Sequence, residues 1–179
     1  RTMKITVLLG SPHKNGSSNT LANEFIKGAK ENGHDVVVLD VAHMKIHPCL
    51  GCDVCRMNGT CVHKDDNLTV RDALLQTDLA VFVTPIYYFG MCAQLKAVID
   101  RFYSYTMRLS EKRLKTILIT AAWDTDPDVM PYTAEHYKKI CRYMNFENVG
   151  MVLGTGCGNP AMTKASPHMK EAYLLGKSI

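Results

Sequence analysis

The sequence predicts an α/β fold, a doubly wound five-stranded parallel sheet with helices on both faces. Three observations carry this reading. Short β-rich apolar runs alternate with longer segments of helical period along the whole chain. Runs such as residues 36–39 and 79–83 are continuously apolar rather than alternating, as strands buried on both faces require. Finally, the segments that follow several strands are rich in polar or aromatic residues, at the edge where open parallel sheets hold ligands.

Taken in order, the pattern places a first strand at 4–9, and a helix at 20–32 that opens directly from a polar loop. A second strand follows at 35–39, then a helix at 67–76 and a third strand at 79–84. A long helical stretch at 93–107 precedes a fourth strand at 115–121 and a helix at 132–144. The fifth strand lies near 149–154, and a closing helix follows Pro167. Residues 41–65 are too long for an ordinary connection and hold four cysteines, so they are expected to have a function of their own. A single domain over 1–179, with a cysteine-rich insertion at about 43–65, accommodates all of this.

Composition narrows the class. With 179 residues, 46% apolar and 21% charged, the chain has the means to bury a continuous core, which excludes disorder and a disulfide-stapled miniprotein. No apolar stretch approaches the roughly 18 residues of a membrane span. The first residues lead straight into a strand pattern without the succession of a secretory signal, so a cytoplasmic location is expected. The net charge of +4 is spread along the chain. Its densest run, 108–115, suits a helix end better than a nucleic-acid groove, and no nucleic-acid or membrane partner is expected. Seven cysteines without a secretory signal fit a reducing compartment, where clustered thiols are more often metal ligands or redox groups than bridges.

The loop after the first strand reads Gly10, Ser11, Pro12, His13, Lys14, Asn15, Gly16, Ser17, Ser18, Asn19, Thr20. Hydroxyls, amides and free backbone N–H groups at a helix start form a phosphate site. Five residues, not four, separate Gly10 from Gly16, and no Lys-Ser/Thr pair follows, which argues against a P-loop. A G-x-G-x-x-G dinucleotide fingerprint is also missing, so Asp40 reads as a strand-end residue. Helix capping by Ser17, Ser18 or Asn19 is the plainer alternative, but one cap explains only one of the polar residues.

Beyond the third strand lie Thr84, Pro85, Ile86, Tyr87, Tyr88, Phe89, Gly90 and Met91, with three aromatics in succession. An uninterrupted aromatic loop at a functional edge suits a planar ligand, the alternative being a loop folded back to fill a gap in the core. Ala122 and Trp123, the only tryptophan, follow the fourth strand with further backbone donors. A phosphate cradle beside an aromatic wall fits a mononucleotide such as FMN at the strand-order switch point.

These residues carry a resemblance. The segments GSPHKNGSSNT, PCLGCDVCRMNGTCVHKDD and TPIYYFGMCAQLKAVIDRFYS resemble the flavodoxin-like NAD(P)H-dependent FMN reductases, and among them the iron–sulfur flavoproteins. The likeness runs from Lys4 to about Arg101, and more loosely through GMVLGTGCGNP. It implies a 2-1-3-4-5 strand order, FMN at the carboxyl edge, and a homodimer or homotetramer whose neighbouring subunits help wall the flavin. Carried over by position, Ser11, Asn15, Ser17, Ser18, Asn19 and Thr20 would hold the phosphate and ribityl chain. The segment Pro85, Ile86, Tyr87, Tyr88, Phe89, Gly90 and Met91 would lie along the isoalloxazine. His13 stands where relatives often have Arg.

Cys49, Cys52, Cys55 and Cys61 read C-x2-C-x2-C-x5-C, which resembles the ligation of a [4Fe–4S] cubane more than the paired knuckles of structural zinc. Reduced thiols and a disulfide stay open beside the cluster. His43, His47 and His63 flank this loop and read as polar surface, whereas Cys92 and Cys141 read as small buried apolar residues. Cys157 lies in a glycine-rich rim that could face the flavin. The function expected from all this is an oxidoreductase in which NAD(P)H reduces FMN, which then reduces a quinone, nitro or azo compound, a flavin or a protein. An electron carrier holding FMN and a cluster is the alternative, and a zinc-stabilised interaction surface a third reading.

Overall fold

The computed structural model describes residues 1–179. Its sheet runs in the order β2 (Asp35–Leu39), β1 (Lys4–Leu9), β3 (Leu79–Tyr87), β5 (Lys115–Ala121), β6 (Glu147–Gly154), all parallel, and a two-residue strand β4 (Gly90–Met91) folds back antiparallel onto β3. Leaving β4 aside, the parallel strands in chain order give 2-1-3-4-5, the flavodoxin-like order. The connection from β1 leads outward to β2 on one side while β3 flanks it on the other. That places the topological switch point at the carboxyl ends of β1 and β3.

Successive strand residues point to opposite faces, so each strand feeds two cores. Val7, Val81 and Ile119 pack on one face with Leu21, Phe25 and Ala29 of α1 (Ser17–Glu31) and Ala172 of α7 (His168–Ser178). Leu8, Phe82 and Leu118 pack on the other with Leu74 of α2 (Asn67–Gln76), Leu95 of α3 (Ala93–Asp100) and Tyr137 of α5 (Pro131–Met144). On the first face α1 and α7 touch almost backbone to backbone. A β-carbon on Gly28 would overlap the Tyr173 carbonyl oxygen, and one on Gly176 that of Phe25.

Three elements depart from the sequence reading. The second strand is not buried on both faces: Val37 and Val38 are half exposed because β2 is the sheet edge, paired only with β1. The helix expected over 93–107 breaks at Arg101 into a 3₁₀ segment, Arg101–Tyr105, before α4 (Thr106–Glu111). A repeat of three aligns Arg101 with Ser104 and Phe102 with Tyr105, and all four are buried. A short helix α6 (Pro160–Ala165), capped by Asn159, precedes the closing helix. The basic run at 108–115 does lie across the end of α4, and no helix is long and apolar enough to cross a membrane.

Candidate functional site

β1 ends at Leu9, and Gly10 lets the chain cross close over β3. Its N–H donates to the Val83 carbonyl at 2.8 Å, and a β-carbon would lie 2.7 Å from that oxygen and from Leu95 Cβ. The loop then folds on itself. Ser11 Oγ accepts the His13 N–H at 3.1 Å, and Gly16 N–H donates to the His13 carbonyl at 3.0 Å. Asn19 Nδ2 donates to the Lys14 carbonyl at 3.0 Å, and Thr20 Oγ1 to the Gly16 carbonyl at 2.9 Å. Asn19 and Thr20 therefore brace the loop from inside α1. They do not face the cavity described next.

That cavity, of about 640 Å³, opens at the carboxyl edge between β1 and β3. Its first wall is Ser11, His13, Lys14, Asn15, Gly16, Ser17 and Ser18. Pro85, Ile86 and Tyr87 of β3 form the second, and Ala121, Trp123 and residues 157–160 the third. The size is that of small-molecule and cofactor pockets generally. Helix α1 starts at Ser17 after Gly16, with no side-chain cap, so its first N–H groups point at the cavity end with the positive end of the helix dipole behind them. The capping alternative for Ser17, Ser18 and Asn19 is thus not what the fold uses. Ser17 Oγ, Ser18 Oγ and the neighbouring Asn19 Oδ1 are buried without any hydrogen-bond partner, and of the three only the two serine hydroxyls can donate. Buried hydroxyls are normally satisfied, so two orphans side by side at a helix start mark a place built for an acceptor.

Tyr88, Phe89, Gly90, Met91 and Ala122 do not line the cavity. The aromatic loop is instead the tip of a hairpin. Tyr87 pairs with Gly90, and the two turn residues between them, Tyr88 and Phe89, have φ of 48° and 67°. Positive φ at both positions is the type I′ pattern that normally selects Asn-Gly. Phe89 is anchored by Thr133 Oγ1, which donates to its carbonyl at 3.1 Å, and by edge-on packing against Tyr132, whereas Tyr88 is fully exposed. Replacing the pair with an Asn-Gly dipeptide is expected to raise stability by about 1 kcal/mol or more, because bulky residues in the left-handed region are strained. Denaturant midpoints of the Tyr88→Asn/Phe89→Gly variant and the parent check it.

Lys14 and Gly16 belong to the loop read from sequence as the phosphate site and Gly158 to the glycine-rich rim, without being singled out, whereas sequence reasoning missed Ala121, Asn159 and Pro160. The last two were detectable, since Asn followed by Pro is a helix-start signature, here Asn159 Oδ1 accepting the Met162 N–H at 2.8 Å. Cys157, placed by sequence on the rim, is buried at the cavity's edge.

The cysteine segment, residues 44–66, has neither helix nor strand. It is tied down by Arg101, which is 2% exposed: its Nη1 donates to the His47 carbonyl and to Asp65 Oδ2, both at 2.8 Å, and its Nη2 to Asp65 Oδ1 at 3.1 Å. Burial alone would raise the Asp65 pKa. The bonds from Arg101 and from the His47 and Asn67 N–H groups outweigh it and hold the carboxyl at about 2. The His47 and His63 rings stack at 3.9 Å, and Tyr103 donates to Asp53 Oδ1 at 2.7 Å. All four cysteines are free and line one cavity with His63 and Arg101. That cavity measures about 20 Å³, room for roughly one water, and no three His, Cys, Asp or Glu side chains are placed to share a metal ion. The expected metal ligation is corrected accordingly: the donor chemistry suits a cluster, but the arrangement does not fit one. His43 bonds Asp40, and Cys92 and Cys141 are buried as expected.

The chain matches the NADPH-dependent FMN reductase family over residues 3–173. It is 28% identical over 179 residues to an iron–sulfur flavoprotein of Archaeoglobus fulgidus, covering 99% of this chain and 79% of that one. It is 30% identical over 99 residues to an iron–sulfur flavoprotein of Methanocaldococcus jannaschii, covering 55% of this chain and 51% of the relative. Among solved structures, an NAD(P)H:quinone oxidoreductase from Methanothermobacter marburgensis superposes with a TM-score of 0.80 at 19% identity, covering 99% of this chain and 96% of that one. An azoreductase from Bacillus anthracis gives 0.71 at 16% identity, with both chains covered completely. The structural likenesses speak for the fold, and the family match over nearly the whole chain speaks for the chemistry: this chain belongs to the NADPH-dependent FMN reductase family and is an oxidoreductase.

Proposed function

We propose that the chain holds FMN in the 640 Å³ cavity and reduces a quinone, a nitro or azo compound, a flavin or a protein acceptor at the expense of NAD(P)H. The observation that carries this reading is the pair of unpartnered buried hydroxyls, Ser17 Oγ and Ser18 Oγ, at the start of α1. In it they donate to the phosphate together with the helix N–H groups, and the nearby Lys14 and His13 add positive or polar character. Ser11 and Asn15 lie along the ribityl path; Asn19 and Thr20 act only by holding the loop in shape. Pro85, Ile86 and Tyr87 flank the isoalloxazine on one side and Ala121 and Trp123 on the other.

When bound, FMN supplies hydride chemistry, accepting a pair of electrons from the nicotinamide and returning them to the acceptor. The protein's part is to orient the ring, keep one edge open and exclude water from the buried end. No side chain in the cavity is needed as acid or base. The test is flavin content and steady-state turnover with NADH and NADPH against a panel of quinone, nitro, azo and flavin acceptors. One FMN per chain with nucleotide-dependent turnover is expected. A chain that takes up no flavin would refute the reading. Assembly into a homodimer or homotetramer belongs to the same reading, and sedimentation velocity checks it.

The carrier alternative is supported by the C-x2-C-x2-C-x5-C spacing and by the relatives' names. Against it stands the 20 Å³ cavity, which a cluster on Cys49, Cys52, Cys55 and Cys61 would require the loop to open. Anaerobic reconstitution separates the two: about four iron and four sulfide per chain supports the carrier, whereas full FMN without iron leaves the reductase.

A further inference from the structure

Trp123 is 70% exposed, yet it is not loosely placed. The loop that bears it is stitched to the loop after β6 by three backbone bonds: Ala122 N–H to the Gly154 carbonyl, Gly156 N–H to that of Asp124, and Cys157 N–H to that of Ala122, each 2.9 Å. These fix the backbone on both sides of Trp123 but leave the side chain free to rotate. What limits the indole is Gly158. A β-carbon there would overlap Cε3 of the ring and lie 2.5 Å from Cδ2, so the six-membered part of the indole rests in the space a side chain would fill. Gly158 has no left-handed φ to explain a glycine, in contrast to Gly156 at 64°. Its lack of a side chain serves the contact, not the turn.

We infer that Gly158 is a positioning residue, whose missing side chain is the seat that fixes the Trp123 indole as a wall of the cavity that Pro85 and Tyr87 also line. A freely rotating indole on this rim could turn outward, leaving one side of a planar ligand bare, or inward, competing for its place. Seating removes both states in advance, so the ligand does not have to select among them on binding. This rests on the reading that FMN is the ligand.

Trp123 is the only tryptophan, so its fluorescence reports the seat directly, with or without flavin. In the FMN-free chain, Gly158→Ala should lower the steady-state anisotropy of the indole and leave the circular dichroism spectrum unchanged. FMN affinity should fall about tenfold. Trp123→Ala should weaken FMN to a similar degree, and adding Gly158→Ala to it should cost nothing more, because the glycine acts only through the indole. Unchanged anisotropy in Gly158→Ala would overturn the inference, as would equal FMN affinity in Gly158→Ala and the parent. Independent losses that simply add in the double variant would overturn it too, by showing that Gly158 acts through its own backbone. Failure of the functional reading is distinguishable, since then the parent chain itself binds no FMN.

Discussion

Replacing Arg101 with Met is expected to destabilise the fold by about 3–5 kcal/mol, since it strands the carboxylate of Asp65 without its cation. The guanidinium is 2% exposed and the carboxylate 15%, and the pair is bidentate. The same side chain donates to the His47 carbonyl, so its loss also frees the segment that carries the cysteines. The Arg101→Met/Asp65→Asn double variant should recover part of the loss. The asparagine side chain is neutral and keeps one oxygen, which can accept either the His47 N–H, bonded to Oδ2 at 2.9 Å in the parent, or the Asn67 N–H, bonded to Oδ1 at 3.1 Å, so the recovery is only partial. Denaturant unfolding of the three chains measures it, and a loss in Arg101→Met below about 1 kcal/mol would show the pair to be ornamental.

The pH dependence follows from the same pair. The Asp65 carboxyl is held at about 2 in the fold, against an ordinary value of 3.8. A depressed carboxyl stabilises the fold fully above its ordinary value, and that contribution is lost as the pH falls from about 4 to about 2. Other carboxylates titrate there too, so the informative quantity is the difference in stability between the parent and Arg101→Met. It should be constant above about pH 5 and narrow below about pH 4.

Much of this was legible in the sequence, for reasons particular residues show. Continuous runs such as Leu79 to Val83 announce a parallel strand because both faces bury apolar side chains, and Val81 and Phe82 do feed opposite cores. The polar loop after the first strand announced a site because so many donors exceed what a helix cap consumes. What could not be read was which donors face the cavity. Asn19 and Ser18 are neighbouring polar residues, but the helix turns them about 100° apart, so the Asn19 amide nitrogen braces the Lys14 carbonyl and leaves its oxygen unpartnered, while the Ser18 hydroxyl, on the cavity wall, has no partner at all. The aromatic run reaches the cavity only through Tyr87, for a different reason. Tyr88 and Phe89 occupy a turn that their own conformational preferences oppose, so local propensity had no means of placing them at a hairpin tip. Nor does spacing state how closely four thiols converge: all four line one small cavity, yet Cys49 and Cys52 are exposed, no three are placed to share a metal ion, and the path of their loop is set by Arg101, which lies well beyond it in the chain.

The Ser17→Ala/Ser18→Ala double variant is expected to lose FMN affinity by on the order of a hundredfold or more, with little change in stability. Two donors to a charged acceptor contribute about 1.5–3 kcal/mol each, and each factor of ten in affinity is about 1.4 kcal/mol. The stability forecast comes from the same orphaned atoms. Neither hydroxyl has a partner in the protein alone, so alanine removes an unsatisfied buried group and no internal bond. Alanine also has the higher helix propensity at two positions inside α1. Asn19→Ala should behave oppositely. It removes the bond from Nδ2 to the Lys14 carbonyl, so it should lower stability and weaken FMN only through the loosened loop. Titrating FMN into each apo-protein by flavin fluorescence, alongside thermal melts of the flavin-free chains, tests the contrast. Two serine hydroxyls that left affinity unchanged would mean the phosphate lies elsewhere. A double variant that melted several degrees lower without flavin would mean the hydroxyls serve the fold, and the reading of the orphaned pair as a ligand site would fail with it.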